Sequence, residues 1–195
     1  MSSEWIGAAA LPAIEVAATP AAKTEPAGLE AEVVALFDRL RAPLLRYLSS
    51  FGFAFQDSEE IVQETFLSLF RHLERGKSRA NLHGWLFRVA HNLALKRRYR
   101  TGRSFESQTY EITGDLLVDP APDPESQAVS TQIQQRIMAV VRALPEQDRR
   151  CLALRAEGLR YRDIAAILGI SLGSVSVSLT RALARISRST GKVTR

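Results

Sequence analysis

The chain has 195 residues and a formal net charge of +5, with 26 Lys and Arg residues against 21 Asp and Glu residues. Its single cysteine, Cys151, excludes an intrachain disulfide and any zinc site built from several cysteines. No apolar run approaches the roughly 18 residues of a membrane-spanning helix, so we expect a cytoplasmic protein with no segment inserted in a membrane.

The N-terminal segment, residues 1–28, is rich in alanine and proline and lacks an early cluster of basic residues. Acidic side chains at Glu4 and Glu15 also argue against a cleaved secretion signal. We therefore predict that residues 1–28 form a disordered extension, and that helical structure begins at Leu29.

Between residues 29 and 101, apolar side chains recur at the three- and four-residue spacing of amphipathic α-helices. Either Asp57 or Ser58 is expected to cap the second helix of this segment. No alternating pattern of convincing strand length is present here, so we expect an all-α fold. The periodicity predicts three helices, at about 29–52, 57–76 and 82–98.

Residues 102–126 separate this segment from a second helical one. They contain two glycines and three prolines, and residues 104–126 hold six acidic and no basic side chains. This composition predicts a flexible acidic linker. Helical periodicity resumes at about Ser126 and predicts four helices over residues 127–189, followed by a short tail at 190–195.

The segment Tyr161–Ala182 has the pattern of a helix-turn-helix. Gly169 supplies the backbone freedom for the turn, and Ser171 is expected to cap the second helix. Such a motif places its second helix in the major groove of DNA, so the pattern indicates a DNA-binding protein. The residues expected to face inward are Ile164, Ala165 and Leu168 in the first helix and Val175, Leu179 and Leu183 in the second.

Charge is segregated along the chain in a way that favours a nucleic-acid partner. Residues 71–103 hold ten basic residues and one acidic residue, and residues 127–195 hold twelve basic and four acidic residues. Two basic blocks separated by an acidic connector fit an electrostatic footprint on DNA phosphates.

Two sets of motifs in this order resemble a known family. The first pairs DSEEIVQETFLSLFRHL, from Asp57, with GWLFRVAHNLALKRR, from Gly84. The second is LPEQDRRCLALRAEGLRYRDIAAILGISLGSVSVSLTRAL, from Leu144. Over about 29–188 the chain resembles the bacterial sigma factors of the extracytoplasmic-function (ECF) group. The resemblance implies two small helical domains, region 2 at 29–101 and region 4 at 127–189. It also implies promoter recognition and melting as a dissociable subunit of RNA polymerase.

The resemblance implies a polymerase-binding surface on the second predicted helix. In the family, an acidic, glutamine-containing helix binds the clamp helices of the β′ subunit, and the matching residues here are Asp57, Glu60, Gln63 and Glu64. Acidic side chains repel DNA phosphates, so this face also points to a protein partner on physical grounds. The expected partners are core RNA polymerase, through its β′ and β subunits, and promoter DNA.

The resemblance further implies two DNA-binding sets. The minus-10 set comprises Lys77, Ser78, Asn81, Arg88, Asn92, Lys96 and Arg97, and its loop is expected to accept an extruded base. The minus-35 set comprises Arg160, Arg162, Ser171, Ser174, Ser176, Ser178 and Arg181. Family members often carry Lys or Arg where this recognition helix has serine. Short side chains cannot contact guanine in a bidentate manner, so we expect a weak minus-35 contact.

Two other functions fit parts of the sequence. A sigma mimic that sequesters an anti-sigma factor would account for the serine-rich recognition helix. A conventional helix-turn-helix repressor would leave the VQETF and GWLFRVAHN segments without a role. For a sigma factor itself, an anti-sigma factor is a further candidate partner. The three histidines lack metal-ligand spacing with carboxylates, and no phosphate loop or nucleophile motif is present. We therefore predict neither an enzyme nor a metal or cofactor site.

Overall fold

The computed structural model describes residues 26–100 and 134–190, and the regular structure within these ranges is entirely helical. This confirms the predicted all-α fold class. The predicted extension at 1–28, the linker and the tail lie outside the described residues except at their edges. In chain order the helices are α1 Pro26–Ser49, α2 Phe55–Glu74, α3 Leu82–Arg100, α4 at 134–142, α5 Glu146–Ala156, α6 Tyr161–Leu168 and α7 Leu172–Thr190.

Helices α1, α2 and α3 pack around large apolar side chains. A polar pair is enclosed with them, since the Tyr47 hydroxyl donates a hydrogen bond to His91 Nδ1 at 2.7 Å. Burial lowers the pKa of His91 to about 4, so the imidazole is neutral at physiological pH and can accept this bond. The large apolar side chains that are completely buried in this bundle are Leu44, Leu48, Val62, Leu69, Leu86 and Phe87.

Helix α2 begins earlier than the sequence indicates. Ala54 precedes the helix in an extended conformation, with φ −61° and ψ 155°, and provides no side-chain cap. The Ser58 amide donates to the Ala54 carbonyl oxygen at 3.0 Å, and the Ser58 hydroxyl donates to the same oxygen at 3.2 Å. Asp57 and Ser58 are therefore inside the first turn, and the prediction that one of them caps the helix was wrong. Acidic residues are favourable in a first turn as well as at a cap, so sequence alone does not separate the two positions.

Helices α6 and α7 form the predicted helix-turn-helix, with a bend of 104° between them. Gly169 ends α6 in a left-handed conformation at φ 66°. The Ser171 hydroxyl accepts a hydrogen bond from the Ser174 amide at 3.1 Å and so caps α7 as predicted. Among the described helices none is singly long and apolar enough to cross a membrane, and only the bent pair α6–α7 passes that test jointly.

The buried face of α7 differs from the predicted one at its far end. Val175 and Leu179 are buried as predicted, but Leu183 is 55% exposed and Ala182 is buried instead. A helical stripe can advance by three or by four residues per turn, and only the packing against α5 selects the three-residue step here.

The second group of helices packs directly on the first, with α5 against α1 and α6 against α3. Arg149 of α5 is 8% exposed and donates to the Ser50 carbonyl oxygen at 3.1 Å. Arg46 of α1 donates to both carboxylate oxygens of Glu157, at 2.8 and 2.7 Å. This contact was not predictable from local sequence patterns, because the paired residues are 99 and 111 positions apart along the chain.

Candidate nucleic-acid interface

The acidic face of α2 meets the basic end of α3. Arg97 donates through Nη2 to Asp57 Oδ1 at 2.6 Å and through Nη1 to Glu60 Oε2 at 2.7 Å. The hydrogen bond with Glu60 raises the pKa of Arg97, and the nearby carboxylate charges add to that effect. From the sequence we predicted that Arg97 contacts DNA and that the two acids contact a protein partner. In the structure the three side chains instead hold α2 and α3 together.

Gln63 and Glu64 are exposed on α2, one turn beyond Glu60. Glu60 also stays accessible, since 54% of its side chain is exposed despite the ion pair with Arg97. We refer to Glu60, Gln63 and Glu64 as the α2 surface. Asp57 is less accessible, because only 24% of its side chain is exposed. It is the most enclosed of the three acidic residues predicted to contact the polymerase.

The loop between α2 and α3, residues 75–81, is exposed throughout. It is ordered by hydrogen bonds, since the Ser78 hydroxyl accepts from the Ala80 amide at 3.1 Å and the Ser78 carbonyl oxygen accepts from His72 Nε2 at 3.0 Å. Lys77 and Ser78 are therefore at the surface, where nucleic acid can reach them.

Asn81, at the end of this loop, has both ends of its side-chain amide engaged. Oδ1 accepts from the Gly84 amide at 3.1 Å, and Nδ2 donates to Asp163 Oδ1 of α6 at 2.9 Å. The Asn81 backbone has φ 53°, a left-handed conformation that asparagine tolerates better than most residues. A Cβ at position 84 would lie 2.6 Å from Asn81 Nδ2, so glycine leaves the space that this amide occupies. In this arrangement Asn81 caps α3 and binds α6, a role that the sequence did not indicate.

One exposed face of α3 carries Arg88, Asn92 and Lys96, which are spaced four residues apart. We call these three residues the α3 stripe. The opposite face is buried and includes Leu86 and Ala90. Two cations that flank an amide can bind backbone phosphates and place the amide against a base edge. The exposure of all three side chains agrees with the predicted surface.

Two further exposed side chains on this face of α3 were not predicted from the sequence. Tyr99 is 91% exposed and Leu95 is 41% exposed, although both are large and apolar in character. Tyr99 follows Arg88 by eleven residues, which is about three helical turns. This spacing could have indicated that the two residues lie on the same face. Trp85 of α3 is half-buried, and its ring lies 4.6 Å from the ring of His72.

The serines of α7 differ in their accessibility. Ser171 and Ser176 are exposed and Ser174 is half-buried, so these three can approach a ligand. Ser178 is 1% exposed, and its hydroxyl accepts from Gln147 Nε2 at 3.0 Å. The prediction that Ser178 contacts DNA was therefore wrong. Residues two apart on a helix face opposite sides, so Ser176 and Ser178 cannot belong to one reading surface.

Arg181 is also committed within the protein. It donates through Nε to Asp148 Oδ2 at 2.6 Å and through Nη2 to Asp148 Oδ1 at 2.5 Å. The Asp148 side chain is completely buried, and the hydrogen bond from Arg181 holds its pKa below the usual range. Arg181 thus neutralises a buried carboxylate. The predicted phosphate contact of Arg181 does not fit this pairing, which the sequence conceals because the partners are 33 residues apart.

Three predicted minus-35 cations are exposed, but one of them, Arg181, is bound to Asp148. The other two are Arg160 and Arg162. They lie at the start of α6, beside an open cleft of about 480 Å³ that Asn81 and Asp163 also line. Between residues 172 and 180 the exposed positions of α7 hold no charged side chain. The first half of the recognition helix therefore lacks positive charge, whereas the start of the preceding helix carries two exposed arginines.

These features define an all-α protein with an exposed acidic surface, an exposed basic stripe and a helix-turn-helix. The chain matches the family model of sigma-70 region 2 over residues 36–104 and that of sigma-70 region 4 over residues 134–186. Both matches fall in the order that the motifs predicted.

Curated relatives place the chain more narrowly. The ECF RNA polymerase sigma-E factors of Escherichia coli and Salmonella typhimurium are each 30% identical to it over 135 residues, which is 65% of this chain and 70% of each relative. The probable RNA polymerase sigma factor RfaY of Xanthomonas campestris is 30% identical over 131 residues, which is 66% of this chain and 33% of that protein. The chain therefore belongs to the ECF group of the sigma-70 family. It is a transcription initiation factor that binds core RNA polymerase and directs it to promoters.

Solved structures share the fold. CnrH in complex with the cytosolic domain of CnrY matches with a TM-score of 0.56 and 23% identity, over 83% of this chain and 89% of that chain. The sigma factor RpoE in complex with the anti-sigma factor NepR, from Bartonella quintana, matches with a TM-score of 0.57 and 23% identity, over 85% of this chain and 98% of that chain.

Proposed function

We propose that this sigma factor binds core RNA polymerase through the α2 surface and promoter DNA through the α3 stripe and the start of α6 and α7. One observation carries the proposal: an exposed acidic surface and an exposed basic stripe lie on adjacent helices of one bundle. Only the basic one can approach DNA phosphates, so the acidic one needs a protein partner. The β′ clamp helices are the partner that the family suggests for it, with the β subunit as a further contact.

We assign the minus-10 element to the α3 stripe together with Lys77 and Ser78. Arg88 and Lys96 bind phosphates on either side of Asn92, whose amide can pair with a base edge or a sugar. The exposed loop 75–81 adjoins the first turn of α3, so an extruded base has polar donors within reach. Arg97 supports this surface indirectly, because it fixes α3 to α2.

We assign the minus-35 element to Arg160 and Arg162 on α6, with hydroxyl contacts from the start of α7. The two arginines supply the positive charge that residues 172–180 of the recognition helix lack. Phosphate contacts by two arginines position a domain without specifying a sequence, so selectivity at this element depends on the shape of the DNA. The hydroxyls in this assignment are those of Ser171, Ser174 and Ser176.

The remaining assignments concern organisation and partners. The region 2 domain spans 29–101 and the region 4 domain spans 127–189, joined by the acidic linker at 102–126. The protein acts in the cytoplasm, where bacterial RNA polymerase meets the chromosome, and it acts by binding rather than by catalysis. CnrH and RpoE share its fold and were each solved with a second protein, which supports an anti-sigma factor as a further partner.

Reconstitution with core RNA polymerase tests the proposal. The holoenzyme should transcribe a subset of genomic fragments in vitro, and Glu64→Lys should weaken co-purification with core enzyme. Asp38→Lys, at an exposed position on α1, is the matched control and should bind core enzyme normally. Failure to bind core enzyme and to transcribe any fragment would favour a sigma mimic, which the uncharged face of α7 over residues 172–180 supports. Selective DNA binding without core enzyme would favour a repressor.

A further inference from the structure

We propose that His72 is a positioning residue for loop 75–81 and orients Ser78 toward an extruded base, an inference that rests on the proposed function. His72 lies in the last turn of α2, and its Nε2 atom is 3.0 Å from the Ser78 carbonyl oxygen. A carbonyl oxygen can only accept a hydrogen bond, so Nε2 carries the hydrogen and donates it. His72 belongs to neither the predicted polymerase surface nor the predicted DNA-binding sets.

The backbone of His72 binds the same loop. The Lys77 amide donates to the His72 carbonyl oxygen at 3.2 Å, and Gly76 makes the intervening turn in a left-handed conformation at φ 66°. His72 therefore contacts two successive loop residues, one through its main chain and one through its side chain. The chain from the Lys77 amide to the Ser78 carbonyl is thus held at both ends by a single residue of α2.

The imidazole of His72 is supported by a neighbouring ring. Its centre lies 4.6 Å from the centre of the Trp85 ring of α3, with 41° between the two planes. Both residues are half-buried. A packed ring has few accessible rotamers, so keeping Nε2 against the Ser78 carbonyl costs little additional conformational entropy. The helix that carries the α3 stripe therefore also supports the loop, through Trp85 and His72.

The bond from His72 determines which groups of Ser78 face a bound strand. The Ser78 hydroxyl accepts from the Ala80 amide at 3.1 Å, and the Ser78 carbonyl oxygen faces His72. A hydroxyl that accepts one hydrogen bond retains its own hydrogen for donation. The exposed Ser78 side chain thus offers a donor to the strand, while the carbonyl acceptor is turned toward α2. The loop consequently favours an extruded base that presents an acceptor at this point.

Single-strand affinity of the holoenzyme tests this role. The probe is the nontemplate strand of a fragment that the wild-type holoenzyme transcribes, and a scan with abasic sites locates the extruded base. His72→Asn ends one bond short of the Nε2 position and should weaken binding by about 2- to 10-fold, as expected for one lost hydrogen bond. His72→Gln places an amide nitrogen at the Nε2 position and should bind nearly as wild type. All three proteins should bind equally to the strand that is abasic at the extruded position.

A second change shows whether His72 acts through Ser78. Ser78→Ala removes the hydroxyl donor and retains the carbonyl oxygen, so it should weaken binding to the strand with its base intact. Adding His72→Asn to Ser78→Ala should cause no further loss, because the two residues then act on one contact. Additive losses would overturn the inference, as would equal affinities of His72→Asn and His72→Gln. A merely structural role of His72 would also weaken binding to the abasic strand.

Hydrogen exchange on the free chain separates this inference from the function on which it rests. His72→Asn should accelerate exchange of the Ala80 amide, which the Ser78 hydroxyl binds in the ordered loop. Wild-type exchange at Ala80 in this variant would show that His72 does not order the loop and would overturn the positioning role. If the wild-type holoenzyme transcribes no fragment, the proposed function fails and the role toward a base fails with it, whatever the exchange at Ala80.

Discussion

Helices α3 and α7 both face DNA in the proposed function, yet their charged side chains are arranged differently. On each helix one arginine expected to bind DNA is bound to carboxylates instead, Arg97 on α3 and Arg181 on α7. Helix α3 keeps Arg88 and Lys96 on its exposed face, whereas α7 keeps no exposed charge over residues 172–180. A count of basic residues therefore overstates the positive surface, because a guanidinium inside an intramolecular pair attracts phosphate only weakly.

The largest expected effect comes from removing the Arg181 side chain, which pairs with the buried carboxylate of Asp148. Arg181→Ala leaves the buried Asp148 carboxylate without its partner, so we expect a Tm lower by several degrees. Arg162→Ala removes an exposed cation and should lower DNA affinity with an unchanged Tm. Circular dichroism melts and fluorescence anisotropy on the same full-length variants check both results. A lower DNA affinity with an unchanged Tm for Arg181→Ala would indicate that Arg181 contacts DNA.

The Asp148–Arg181 pair also has a defined pH dependence. Hydrogen bonding from Arg181 keeps the pKa of Asp148 lower in the folded protein than in the unfolded chain. Its stabilisation is therefore complete above the unfolded-state pKa of about 4 and is lost as the pH falls through the lower folded value. The Tm difference between wild type and Arg181→Ala should narrow as the pH falls from about 7 to about 3. A constant difference would exclude the carboxylate as its cause.

A second comparison uses two serines of α7. Ser178→Arg forces a long cation into a buried position, so we expect marked destabilisation. Ser176→Arg adds the same side chain at an exposed position and should leave the Tm unchanged. Ser176→Arg should also tighten binding to many DNA sequences and increase the salt slope by about one phosphate contact. Equal Tm values for the two variants would contradict the buried position of Ser178 and the exposed position of Ser176.

A moderate effect is expected from the two carboxylates of α2 that pair with Arg97 of α3. The double change Asp57→Asn with Glu60→Gln removes both carboxylate charges from Arg97. We expect a few-fold gain in non-specific DNA affinity and a steeper salt dependence, because one more cation can release counterions. Glu64→Gln is the matched control and should leave DNA affinity unchanged. An unchanged salt slope in the double variant would show that Arg97 does not reach DNA when it is freed.

The smallest effect concerns the hydrogen bond between the two groups of helices. Asp163→Ala removes the acceptor of Asn81 Nδ2, and one exposed hydrogen bond contributes roughly 1 kcal/mol. We expect faster amide hydrogen exchange in loop 75–81, with little change in Tm. Glu30→Ala alters another exposed acid, on α1, and should not affect that exchange. Unchanged exchange in Asp163→Ala would show that the bond does not restrain the loop.

Local features were predictable from sequence, and long-range pairs were not. Apolar periodicity gave the helices, and Gly169 with Ser171 gave the turn of the helix-turn-helix, because each of these signals depends on residues a few positions apart. The pairing of Arg181 with Asp148 and of Asn81 with Asp163 depends on the tertiary packing. The buried position of Ser178 is an intermediate case, since it follows the predicted inward residue Val175 by three positions.

The bond between Asn81 and Asp163 gives loop 75–81 a competitor within its own chain. While α6 is docked, the Asp163 carboxylate occupies part of the Asn81 amide and places a negative charge where a phosphate would approach. If a strand binds the loop only when α6 has left Asn81, the apparent affinity equals the intrinsic affinity multiplied by the fraction of molecules in that state. A substitution at Arg46 or Glu157, which touch no DNA, would change that fraction and so shift promoter affinity from a distance.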